Sequence, residues 1–224
     1  MLRTVPIITA LLAPALLLAQ NEAPDHRMQL SADLVRQFSA TPDRSVKDLM
    51  SRAKCVMVIP SVKKGAAVVG AEYGRGYAVC RQDGKWGGPA AIKLSGGSVG
   101  AQIGVESIDV VLFVMNEKGM QRLEKDKLTL GADASLAAGP TGRTAAAGTD
   151  ISMKAEILSY SRSHGAFVGL ALDGAIVSRD DAEDQRLYGR HITNGQIVRG
   201  EVAPPESAGI LRSALAEKGQ PGSN

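Results

Sequence analysis

The chain has 224 residues and a formal net charge of +3. That is enough for one large domain or two small ones, and too nearly neutral for a nucleic-acid binder with a dominant basic field. Aromatic residues make up 4%, which leaves little for stacking on bases and predicts a core of Val, Ile, Leu, Ala and Met.

From Ile7 to Ala19 the chain is apolar or small apart from Thr9, behind a positive Arg3. The run is shorter than the ~20 residues a membrane span takes. It fits a secretory signal over residues 1–19, cut near Ala19-Gln20, although Leu17 stands where a small residue is preferred. The alternative is an uncleaved N-terminal anchor. No Cys stands at the expected cut, which speaks against a lipoprotein. Export places the chain in the periplasm or outside the cell, where Cys55 and Cys80 can be oxidised. A simple hairpin turning at Ser61–Gly65 puts Cys55 opposite a residue near position 71, so a bridge needs a bend or another neighbouring strand. Both states stay open. A metal site at this pair lacks partner ligands.

Leu30, Leu34 and Phe38 recur at four-residue steps with Val35 beside them, which predicts a helix from Met28. Thr41-Pro42-Asp43 reads as cap, first helical position and first-turn acid. A second helix follows with Val46, Leu49, Met50 and Ala53 as its stripe. Such helices either cover one end of a sheet or lie on a membrane surface.

CVMVIP, stopped by Pro60, predicts a strand buried on both faces. SVKKG reads as a basic turn. A long strand follows, bent at Gly74-Arg75-Gly76, then a turn tipped by Asp83-Gly84, with Trp86 just after. Gly96, Gly100 and Gly104 fall on one strand face, implying close approach of something. Residues 108–116 are the strongest strand, and Asn116 opens a short helix through Leu123. Leu128–Thr149 is built of Ala, Gly, Ser and Thr without Val, Ile or aromatics. It is read as a tightly curved sheet segment, or as a surface where a ligand meets main chain. SMKAEILSYSRS, residues 152–163, and the run GAFVGLALDGAIV give two more strands around Ser163-His164-Gly165. A helix from Asp180-Asp181 to Tyr188 and a final one from Glu206 to Lys218 complete the chain.

The pattern is α+β: a curved, mainly antiparallel β-sheet or barrel-like core with short amphipathic helices at the N- and C-terminal ends. One domain is predicted over residues 28–200, with 201–224 as a C-terminal helix and disordered tail.

Signatures of chemistry are missing. His26, His164 and His191 have no local nucleophile motif, no metal-ligand spacing occurs, and GGSVGAQIG lacks the ending of a phosphate-binding loop. Asp180, Asp181, Glu183 and Asp184 lack the spacing of a calcium loop and read as a solvated helix start. No cofactor is expected, and no enzyme. Binding has more support. Arg52, Lys54, Lys63, Lys64 and Arg75 are candidate phosphate contacts, and Trp86 is a candidate interfacial anchor, because cations meet phosphates and indole sits at the headgroup level.

Six ordered blocks resemble the SYLF domain family, in its exported bacterial branch. They are AKCVMVIPSVKKGA, YGRGYAVCR, GKWGGPAAIKLSGGSVGAQIG, DVVLFVMNEKGM, LTLGADASLAAGPTGRTA and ILSYSRSHGAFVGLALDGAIV. The resemblance runs from about Leu30 to about Asn194. It implies a single non-catalytic domain that binds anionic phospholipid, with phosphoinositide-like headgroups recognised by eukaryotic relatives. Some relatives also bind actin, and an N-terminal basic amphipathic helix, matching Met28–Lys54 here, contributes to lipid binding. The expectation is peripheral association with an anionic membrane surface. The alternative is an envelope module that binds a protein partner and meets lipid incidentally.

Overall fold

The computed structural model describes residues 24–41, 44–66, 69–99, 104–139, 155–163 and 166–217. The signal expected at 1–19, the cap at Pro42-Asp43, Gly100, the stretch 140–149, His164 and the tail from Lys218 lie outside them.

Nine strands form one sheet: β1 (Cys55–Ala66), β2 (Val69–Gln82), β3 (Lys85–Val99), β4 (Gly104–Val114), β5 (Lys127–Thr129), β6 (Leu136–Ala138), β7 (Ile157–Ser163), β8 (Ala166–Gly169) and β9 (Ile176–Arg179). Their order is β5-β9-β3-β2-β1-β4-β7-β6, with β8 beside β7. All pairings are antiparallel except β6 with β7. The sheet curls into a half-barrel with short helices from both chain ends, as the sequence pattern predicts.

Its curl follows from irregularities on the long strands. Between β1 and β2 the register shifts from Val58↔Tyr77 to Lys63↔Tyr73, opposite the predicted bend at Gly74–Gly76. A shift against β4 falls at the same place, between Ile59 and Val62. Pro60, which has no N–H to give, sits where the ladder is already broken. Ser61 adopts φ 54 and donates its N–H to Asp109 Oδ1 at 3.0 Å. The strand therefore does not stop at Pro60, and SVKKG is not a turn. Lys63 and Lys64 stand in β1 itself, paired with Tyr73 and Glu72. Because β1 continues to Ala66 and β2 begins only at Val69, Cys55 faces Cys80 directly, and the two are joined by a disulfide with S–S 2.07 Å.

Two other expectations are corrected. Gly96 belongs to β3 and Gly104 to β4, which are not neighbours, so these glycines do not share a strand face. A Cβ on Gly96 would meet the Glu72 carboxylate at 2.6 Å. The run GAFVGLALDGAIV divides into β8 and β9, because Gly174 turns at φ 82 while Leu172 and Ala175 enter the core. In the small-residue stretch, β6 runs beside β7, and a Cβ on Gly139 would lie 2.0 Å from the Tyr160 ring. Over its described part, what closely approaches this stretch is the chain's own ring.

Both sheet faces are covered, so the central strands read as continuous apolar runs. On one face Met57, Ile59, Ile92, Leu94, Val110 and Leu112 pack with Leu123 of α3 (Glu117–Leu123) and with Ile197 and Val198 of α5 (Asn194–Val198). On the other, Val56, Val58, Tyr77, Val79, Val111 and Phe113 meet α1 (Pro24–Ser39), α2 (Arg44–Arg52) and α6 (Gly209–Ala216). Helix α4 (Asp181–Tyr188) closes the same side. All three phenylalanines gather there. Phe38 lies 4.9 Å from Phe113 and 4.7 Å from Phe167, with Tyr160 at 5.3 Å. The apolar face of α1 is thus spent on the sheet: Met28, Ala32, Leu34, Val35 and Phe38 are all buried.

Candidate functional site

The six side chains expected to meet phosphate or membrane fall in different places. Arg52 and Lys54 lie where α2 hands over to β1. Each is about half exposed and carries a carboxylate partner, Asp48 at 3.1 Å and Glu117 at 2.6 Å. Lys63 and Lys64 are further along β1, about 30 Å from Lys54 at ~3.3 Å per residue. Lys63 is exposed, with Nζ 3.3 Å from Ser107 Oγ, and Lys64 pairs with Glu72 at 3.3 Å. Arg75 sits mid-sheet, where its Nε donates to buried Asp180 at 2.6 Å. Arg75 is thus engaged by an internal carboxylate, with its side chain 21% exposed. Trp86 is 5% exposed and donates its indole N–H to Leu215 O at 2.9 Å. It satisfies a carbonyl in the last turn of α6 instead of standing at the surface. The structure therefore brings Arg52, Lys54 and Trp86 to one end of the molecule and leaves Lys63 and Lys64 well apart from them.

At the first of these ends a cleft of about 740 Å³ opens between α1, α2, α6 and the β2–β3 turn. The turn forms because Asp83 and Gly84 take φ 48 and 78, which Asp-Gly tolerates. It projects Lys85 into solvent and sets Arg81 opposite Trp86. The Arg81 guanidinium stacks 4.1 Å from the Trp86 ring centroid. It donates to Gly84 O at 3.4 Å and Met50 O at 3.3 Å, and its Nε is buried without a hydrogen-bond partner. Burial lowers the Arg81 pKa from its ordinary value, because no anion offsets the lost hydration. Arg212 comes in from α6 and donates from Nε to Trp86 O at 2.9 Å. Among the described residues, Arg81, Lys85 and Arg212 have no carboxylate partner. The one acid among the described residues of the cleft wall, Glu217, faces Arg36 at 3.7 Å. Met50, Trp86 and Leu215 give the same cleft apolar walls.

Of the three histidines, His164 lies outside the described residues. His26 and His191 are exposed. Among the described residues no three His, Cys, Asp or Glu side chains are placed to hold a metal ion, and no helix is long and apolar enough to cross a membrane.

Comparison with known proteins gives a consistent result. The family model Ysc84, described as Las17-binding protein actin regulator, matches residues 95–218. The chain belongs to this family, the SYLF family. An SH3 domain-containing protein of Schizosaccharomyces pombe is 38% identical over 167 residues, covering 72% of this chain and 39% of the relative. LAS seventeen-binding protein 3 of Saccharomyces cerevisiae is 33% identical over 176 residues, covering 76% and 38%. SH3 domain-containing YSC84-like protein 1 of Homo sapiens is 28% identical over 193 residues, covering 83% and 56%. The chain thus spans 39%, 38% and 56% of the length of these three relatives.

In this SYLF chain a second charged cluster is internal. Asp180, Glu183 and Asp184, read from sequence as a solvated helix start, are each 1% exposed. Glu183 pairs with Arg27 of α1 at 3.2 Å and accepts from Tyr77 Oη at 2.9 Å. Asp180 takes Arg75 and, at 3.2 Å, Lys93. Asp184 accepts the Ala91 N–H at 2.8 Å. Burial pushes the Asp184 carboxyl up to about 7 against the Ala91 hydrogen bond and nearby Arg179, with Asp180 and Glu183 adding to the rise. These acids fasten α4 and α1 to the sheet. Local sequence held no sign of this, since their cations come from 27, 75 and 93. Arg212 was missed for a similar reason: on a short C-terminal helix it reads as an ordinary solvated position.

Proposed function

We propose that the chain is a periplasmic or secreted non-catalytic module that associates peripherally with anionic phospholipid, phosphoinositide-like headgroups included. The observation that carries this reading is the end where Arg81, Lys85 and Arg212 line an open cleft with no carboxylate partner among the described residues, beside half-exposed Arg52 and Lys54. Cations left without internal anions interact with external ones, each contributing roughly 1 kcal/mol near an anionic surface. Lys63 and Lys64 form a lesser patch at the far end. The Cys55–Cys80 bridge agrees with an oxidising compartment and with the leader read at 1–19. Residues 20–224 mixed with vesicles test the reading. Co-sedimentation is expected to rise with anionic lipid content and weaken with salt. Equal recovery in the supernatant with anionic and neutral vesicles contradicts it.

A protein partner is the second reading. It is favoured by a relative whose name describes it as LAS seventeen-binding. This chain covers 38% of that relative, so the binding named there also has the remaining length to reside in. Capture of one envelope protein together with vesicle recovery equal to the neutral control favours this reading over the first.

A further inference from the structure

The cleft has more than charge. Its volume of about 740 Å³ falls within the roughly 300–1,000 Å³ of small-molecule sites. Its walls have two characters. Met50, Trp86 and Leu215 are apolar, while Arg81, Lys85 and Arg212 converge from β2, β3 and α6. A solvated basic patch needs no recess and no apolar wall. A site for phosphate alone has no use for three large apolar side chains, and an apolar ligand would leave a partly buried guanidinium without an anion. Arg81 is the telling residue: it lines the cleft with no carboxylate partner among the described residues, and its terminal nitrogens make only long hydrogen bonds to carbonyl oxygens, at 3.3 and 3.4 Å. An oxyanion in the cleft supplies what Arg81 lacks, and guanidinium is suited to hold phosphate by paired N–H donors.

We infer that the cleft binds one molecule of anionic phospholipid, its phosphate held by Arg81, Lys85 and Arg212 and part of an acyl chain laid against Met50, Trp86 and Leu215. This rests on the lipid reading above and adds to it: the protein takes a single lipid into a recess, in addition to settling on a charged plane. Recognition is then stoichiometric and includes the acyl chain.

Trp86 is the only tryptophan and lines the cleft, so its fluorescence reports occupancy. The probe is lysophosphatidic acid with a brominated acyl chain, titrated below its micelle concentration. The expected result is saturable quenching at one lipid per protein, at least tenfold weaker half-saturation with brominated lysophosphatidylcholine, and no displacement by millimolar inorganic phosphate. Ala216→Phe, which fills the cleft from its wall, and Lys85→Glu, which changes an exposed side chain, are each expected to weaken half-saturation at least tenfold. Lys85→Glu keeps the test available should Ala216→Phe not fold. Absence of quenching while anionic vesicles still bind overturns the recess and leaves the surface reading standing. Equal quenching by the phosphocholine probe overturns the charge assignment. Equal quenching by a brominated fatty acid overturns phosphate as the recognised group. Failure of wild-type protein to bind anionic vesicles at all removes the reading on which this rests.

Discussion

Asp184 shows how one residue's surroundings set its chemistry. Its carboxyl titrates at about 7 in the fold against 3.8 ordinarily, so between those values the folded chain keeps a proton that the unfolded chain gives up. Its contribution to stability is therefore greatest below pH ~4, falls as pH rises toward 7, and is lost above it. Asp184→Asn imitates the protonated acid and keeps an acceptor for the Ala91 N–H. At pH 8 the variant is expected to be more stable by roughly 1–2 kcal/mol, a Tm rise of about 3–6 °C, with the gap closing at pH 4. A gap of the same size at both pH values, followed by circular dichroism melts, contradicts the burial argument. Residues with local roles were legible in sequence: Asp83-Gly84 as a turn, and Asn116, whose side chain accepts from Gly119 N at 2.9 Å, as a helix start. Residues whose role depends on distant partners, such as Asp180, Glu183 and Arg212, were not.

Among the elements, α1 is decisive. Its four-residue spacing of Leu30, Leu34 and Phe38 predicted a helix with an apolar stripe, and a stripe alone fits a sheet or a membrane equally. Arg27 decides between them, since at 4% exposure it lies on the inner side, paired with Glu183. A membrane-facing helix would keep such a cation at the rim. Phe38 stands at the centre of the aromatic cluster. Phe38→Ala is expected to cost about 3–5 kcal/mol in urea unfolding, as for other large buried aromatics. A loss below ~1 kcal/mol means that α1 is not part of the cooperative fold and is free to meet lipid. β1 teaches a related lesson. Pro60 looked like a stop because sequence shows a missing donor and not the bulge that makes the donor unnecessary, and the Cys55–Cys80 pairing was obscured by the same misplaced turn.

For the molecule as a whole, the curved antiparallel sheet was legible from many strand-like runs with turn residues between them. The strand order was not. An apolar run buried on both faces records that neighbours exist without saying which, and β3 and β4, consecutive in sequence, are separated by β2 and β1. That order also separates the cations that sequence had grouped. Arg52, Lys54, Arg81, Lys85 and Arg212 share the end with the cleft, while Lys63 and Lys64 stand about 30 Å along β1. A flat membrane meets one end at a time, so the two sets are distinguishable. The direct comparison is co-sedimentation with anionic vesicles of Arg52→Glu/Lys85→Glu and of Lys63→Glu/Lys64→Glu, all four positions being surface cations. The account predicts that the first pair loses most vesicle binding and the second retains most of it. Retained binding in the first pair with loss in the second contradicts it and moves the membrane-facing surface to the far end of the sheet.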